Sequence, residues 1–194
     1  MRKFILILGI IPLFNFCMAQ SKMTAPNFTT KNGKISYSKV LIALDSSYTS
    51  ERLFDIATQF IEKYPSNFKI YANDKYNSKT LGSYYSGQYP VYNINDAMSI
   101  SGLFEISIKQ GIISFTIKNL EYKLHPGYEL SKSSNICRHE DKLENLLTCS
   151  LKDLYHNVVY KNLWTLDSNI KSLMSEFQFF FMLFEINFEE KADE

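Results

Sequence analysis

The sequence predicts an α+β fold: a mostly antiparallel sheet of about five strands with two helices on one face. Three observations carry that expectation. Two alternating runs, "GLFEISIK" and "IISFTIKNLEYKL", are joined by Gln110-Gly111 and read as an antiparallel hairpin. Two amphipathic stretches, one early and one late, each have an apolar stripe to bury. The 194 residues include 13 Tyr and 15 Phe, side chains that favour pleated, half-buried surfaces.

The order expected is strand, helix, four strands, helix. "ISYSKVLIALD" alternates and then becomes continuously apolar through Leu44, as a strand buried late on both faces would. In "TSERLFDIATQFIEKYP", Leu53, Phe54, Ala57, Phe60, Ile61 and Tyr64 keep helical spacing. Thr49 or Ser50 can cap that helix, Glu51 suits its positive end, and Pro65 stops it. "FKIYAND" is a short strand. "KTLGSYYSGQYPVY" contains Gly82, Gly87 and Pro90 and reads as a bulged or edge strand. The hairpin follows, and after a polar loop a long stripe runs from Leu151 through Leu163, Leu166 and Ile170 to Phe177.

The N-terminus places Arg2 and Lys3 before an apolar run from Phe4 to Phe16, and Cys17-Met18-Ala19 ends in small residues, the pattern of a signal peptide. Cleavage is expected between Ala19 and Gln20, giving a secreted or periplasmic protein with no transmembrane span in the mature chain. The apolar run falls short of the roughly 20 residues a span needs and contains Pro12 and Asn15. A lipoprotein reading of Cys17 wants a small residue before it, whereas Phe16 stands there. The expected organisation is a signal peptide over 1–19, a flexible lead over 20–34, a single domain over 35–184 and a polar tail over 185–194. The whole chain has 21 Lys plus Arg against 20 Asp plus Glu. Loss of Arg2 and Lys3 leaves a near-neutral chain without the positive field that holds phosphate backbones, so no nucleic-acid partner is expected.

The strand and helix "ISYSKVLIALDSSYTSERLFDIATQFIEKY", the strand "KTLGSYYSG", the hairpin "GLFEISIKQGIISFTIKNLEY" and the amphipathic C-terminal helix together resemble a bacterial envelope family known as a domain of unknown function with a TATA-binding-protein-like (TBP-like) fold. The resemblance covers about Ile35 to Phe177. It implies a fold and no activity, so no functional residue is carried over. The segment "FQFFFMLFEINFEEKADE" departs from it in being more apolar than that family's final helix.

Candidate chemistry comes from the chain's own residues. Cys137, His139, Cys149 and His156 have ligand chemistry for zinc but not knuckle spacing, so no metal and no cofactor is expected. Two readings of the cysteines stay open. If the last helix begins at Glu140, its rise carries Cys149 roughly 13 Å along the axis, whereas a disulfide needs Cα atoms within about 7 Å. A Cys137–Cys149 bond therefore requires residues 135–148 to fold back as a loop; the alternative is two buried or reactive thiols. Tyr84, Tyr85, Tyr89 and Tyr92 offer a stacking surface for a sugar or peptide, or else a half-buried strand. Phe179, Phe180, Phe181 and Phe184 cannot all face one sheet and are a candidate partner patch.

The function expected is a non-enzymatic binding or assembly module of the envelope, with a protein, peptide or glycan partner. A small hydrolase using Cys137 or Cys149 with a histidine is the alternative from another class. A lipid-anchored envelope structural or stress protein is a third, tied to Cys17.

Overall fold

The structure is a computed structural model that describes residues 23–44, 47–91, 97–125, 137–138, 140–149, 151, 153–184, 186 and 188–190. The expected signal peptide with its Ala19 and Gln20 cleavage site, and also Tyr92 and His139, lie outside these residues.

The elements are β1 (Thr30–Lys31), β2 (Lys34–Ala43), α1 (Ser50–Lys63), β3 (Phe68–Asp74), β4 (Lys79–Pro90), β5 (Ala97–Lys109), β6 (Ile112–His125), β7 (Glu140–Lys142), α2 (Leu143–Thr148), α3 (Asp153–Met182) and β8 (Phe188–Glu190). All strand pairings are antiparallel, in the order β1-β2-β6-β5-β4-β3, with β7 added to β6 and β8 to β2. The protein is thus α+β with an antiparallel sheet. The five long strands are β2 to β6. The expectation of about five strands and two helices omits β1, β7 and β8, which are two or three residues long, and the six-residue α2.

Local chemistry explains the elements. The Thr49 side chain caps α1 by accepting from the Arg52 amide at 3.2 Å. The β5–β6 turn has positive φ at both Gln110 (52°) and Gly111 (79°), the geometry of a two-residue turn that matches strand twist. The β4 strand is bulged, as its glycines suggest, but lies inside the sheet; β3 is the edge.

Alternation gives the sheet one apolar face. Ile35, Tyr37, Leu41, Phe104, Ile106, Phe115 and Ile117 are buried there in one cluster with Phe54, Phe60 and Ile61 of α1 and Leu166, Ile170 and Phe177 of α3. Aromatic rings lock the layers: Phe177 lies 5.1 Å from Phe60 and 4.7 Å from Phe115, centroid to centroid. Where α3 meets β2, the buried Asp167 carboxylate accepts from the Tyr37 hydroxyl (2.8 Å) and from Lys171 Nζ (2.7 Å), so its charge is paired.

Two boundary expectations need correction. Residues 23–34 are no flexible lead: the Met23 amide donates to Asn157 Oδ1, Trp164 Nε1 donates to the Thr24 carbonyl, Phe28 is buried, and β1 pairs with β2. The segment beyond residue 184 is more than a polar tail, because β8 pairs with Leu41–Ala43 of β2. In both cases long-range pairing orders segments whose local pattern carries no period.

The helix-free face is polar. Across it, Glu105 on β5 accepts from Lys79 of β4 at 2.8 Å and Lys118 of β6 at 2.7 Å. The hydrogen bonds of Lys118 and then Lys79 hold the Glu105 carboxyl below its ordinary 4.5. A lowered value means stability that is full above about 4.5 and lost as pH falls through the native value. Glu105→Gln is expected to lose less Tm than the parent between neutral pH and about pH 3, measured by thermal melts at each pH.

Candidate functional site: a groove on the helix-free face

Three strands carry an extra residue near the middle of the open face. On β3 the register jumps between Ile70 and Ala72, leaving Tyr71 unpaired. On β4 it jumps between Tyr85 and Gly87, leaving Ser86 unpaired. Between Ser101/Glu121 and Leu103/Lys118, Asn119 and Leu120 of β6 face the single Gly102 of β5, with Asn119 in the left-handed region at φ 54°. Each bulge reverses the inward and outward alternation beyond it. Buried positions on β6 accordingly change from Ile113, Phe115 and Ile117 to Leu120, Tyr122 and Leu124.

The bulges surround a groove of about 450 Å³, within the roughly 300–1,000 Å³ of ligand sites. A cross-strand row crosses it, Tyr85 on β4, Ser101 on β5, Glu121 on β6 and Lys142 on β7, beside Ser83 and Leu103 in the next row. Tyr71, 64% exposed, and Tyr85, 39% exposed, supply aromatic surface. Lys142 Nζ bonds to Glu121 Oε1, so the two charged lining residues neutralise one another. Gly102 is required by packing: a Cβ there would lie 2.8 Å from Leu120 Cδ2 and 3.0 Å from the Lys118 carbonyl. Gly102→Ala is expected to cost about 1–3 kcal/mol in chemical denaturation, from overpacking at the bulge.

The tyrosine surface read from the sequence therefore divides. Tyr84 (2% exposed) and Tyr89 (7% exposed) belong to the core, because the Ser86 bulge brings Tyr89 to the same side as Tyr84; Tyr84 borders the groove while buried, and of the described members only Tyr85 lines it with an exposed ring. Burial pushes the Tyr84 phenol up to about 12 and raises that of Tyr89. Sequence reasoning missed Tyr71, Ser83, Ser101, Gly102, Leu103, Asn119, Glu121 and Lys142, which come together only through the register.

Cys137 and Cys149 form a disulfide with Cα atoms 5.4 Å apart. The segment is neither a loop nor an early start of the long helix. Strand β7 runs along β6 and α2 ends at Cys149, so the chain returns within reach, and the Tyr122 hydroxyl donates to the Arg138 carbonyl beside the bridge. The bridge closes the segment that presents Lys142 to the groove, and it consumes both thiols that a cysteine nucleophile would need. His125 Nε2 lies 3.1 Å from Ser99 Oγ, and His156 stacks on Tyr160 at 4.4 Å.

The phenylalanine patch is also divided. Phe181 is fully buried, Phe180 and Phe184 pack half-buried against the core, and Phe179 is exposed with Met182 and Leu183. Among the described residues, no helix is long and apolar enough to cross a membrane.

These features define an antiparallel α+β domain with helices on one face and a groove on the other. Among solved structures, the chain is similar to a TBP-like protein from Parabacteroides distasonis ATCC 8503, with a TM-score of 0.46 and 15% identity, covering 76% of this chain and 96% of that one. It is also similar to a DUF4468 family protein from Bacteroides ovatus ATCC 8483, with a TM-score of 0.49 and 13% identity, covering 80% of this chain and 86% of that one. No family model and no curated protein matches the sequence. The neighbours carry the descriptions that the sequence resemblance names, while the fold itself is defined by the strand order and registers above.

Proposed function

We propose that the protein is an exported, non-enzymatic binding module of the bacterial envelope whose ligand lies in the groove around Tyr71, Tyr85 and Leu103. The observation that carries this reading is the convergence of the bulges on one concave, aromatic and polar site, since bulges re-aim side chains beside functional sites. Export is supported by the N-terminal pattern and by the Cys137–Cys149 bridge, which suits an oxidising compartment.

Two measurements test the reading. Intact mass of the protein isolated from its host is expected to start at Gln20, with neither remaining cysteine alkylated before reduction; a chain retaining Met1 or labelled at both thiols contradicts export. In cosedimentation with insoluble envelope material from the same host, the wild type is expected to pellet and Tyr85→Ala to stay in solution with an unchanged Tm. Equal pelleting of the two removes the groove from the account.

A further inference from the structure

We infer that the groove recognises an uncharged glycan; this deepens the binding reading and rests on it. Three features of the lining select that ligand chemistry. First, the central strands beneath the groove are already paired on both sides: Ser83 of β4 with Lys69 of β3 and Leu103 of β5, Tyr85 with the Asn67 carbonyl and with Ser101 of β5, and Leu103 and Ser101 in turn with Lys118 and Glu121 of β6. An extended peptide gains affinity by adding main-chain bonds at a sheet edge; the floor of the groove on β4, β5 and β6 offers none, and the sheet edges lie only at its ends, on β3 and β7.

Second, Tyr71 and Tyr85 present ring surface with a hydroxyl tip. A pyranose presents the complement, a C–H face that stacks on a ring and hydroxyls around it. Third, the polar groups are of the neutral kind a sugar needs. Ser83, Ser101 and Asn119 line the groove with neutral hydroxyl and amide groups. The charges at the rim, Glu121 and Lys142, are spent on each other, and nearby Glu105 is held between Lys79 and Lys118. Both charged side chains that line the groove are thus already paired, and a neutral ligand leaves those pairs intact.

The test is a titration of the ¹⁵N-labelled full mature chain, disulfide intact, followed through its amide resonances. The probes are neutral hexasaccharides of glucose, xylose, mannose and N-acetylglucosamine, a hexagalacturonate, and uncharged hexapeptides. The expected result is saturable shifts at Tyr71, Tyr85, Ser101, Gly102 and Asn119 with at least one neutral saccharide. The affinity should be insensitive to added salt, because no ion pair forms, and should weaken roughly tenfold in Tyr85→Ala. Lys142→Met keeps stem length without charge and should bind the saccharide much as the wild type does. Groove shifts with peptides or hexagalacturonate alone overturn the glycan assignment and leave the binding reading standing. No groove shift with any probe overturns both.

Discussion

Phe177→Ala is expected to lower unfolding free energy by about 3–5 kcal/mol, the cost of deleting a fully buried aromatic ring that its neighbours cannot replace. Phe177 lies between Phe60 of α1, Phe115 of β6 and Phe181 of α3, all of them fully buried. Removing it opens a void where both long helices meet the sheet, and surrounding rings relax only partly because each is held by others. Urea denaturation followed by circular dichroism measures the effect, with a Tm lower by roughly 10 °C for a chain of this size. Phe179→Ala, two residues along the same helix but exposed to solvent, is expected to change stability by less than about 0.5 kcal/mol. A large loss at Phe179, or a small one at Phe177, would reverse the faces assigned to α3.

Removing the disulfide should cost about 3 kcal/mol, because a bond across 12 residues restricts the unfolded chain. The double substitution Cys137→Ala with Cys149→Ala is the cleanest form, since it leaves no free thiol. The loss should be local as well as global. The β7 strand pairs with only three residues of β6, so without the bridge its amides are expected to exchange with solvent faster than those of β5 and β6. Because β7 carries Lys142, the groove's charged rim should loosen with it. Denaturation with and without reductant, together with hydrogen exchange, checks both effects; unchanged exchange at Glu140–Lys142 would mean that sheet pairing alone holds the strand.

Periodicity makes the long elements legible in the sequence. The α1 stripe of Leu53, Phe54, Ala57, Phe60 and Ile61 is buried as its spacing implies, and the β5–β6 hairpin turns at Gln110-Gly111. The candidate site was legible only at Tyr85, because the bulges exchange which residues face inward. One signal was present: the apolar positions of β6 change from odd to even numbers at Asn119, a residue tolerant of left-handed backbone. A similar offset separates Tyr84 from Tyr89, five positions apart yet both inward. The short strands β7 and β8 left no such trace, since three residues hold no period and their pairing is decided by chain segments far away.

The bulges put Tyr71 and Tyr85 on the open face, where the proposed ligand lies, and Tyr84 and Tyr89 in the core. Nitration of tyrosines in the native protein, mapped by peptide mass with and without host envelope material, tests this placement most directly. The account predicts that Tyr71 and Tyr85 nitrate in the free protein and are protected by the ligand. Tyr76, 96% exposed and outside the groove, should nitrate in both conditions, and Tyr84 and Tyr89 should nitrate only on unfolding. Nitration of Tyr84 and Tyr89 at the rate of Tyr85, or protection of Tyr76 alone, would contradict it.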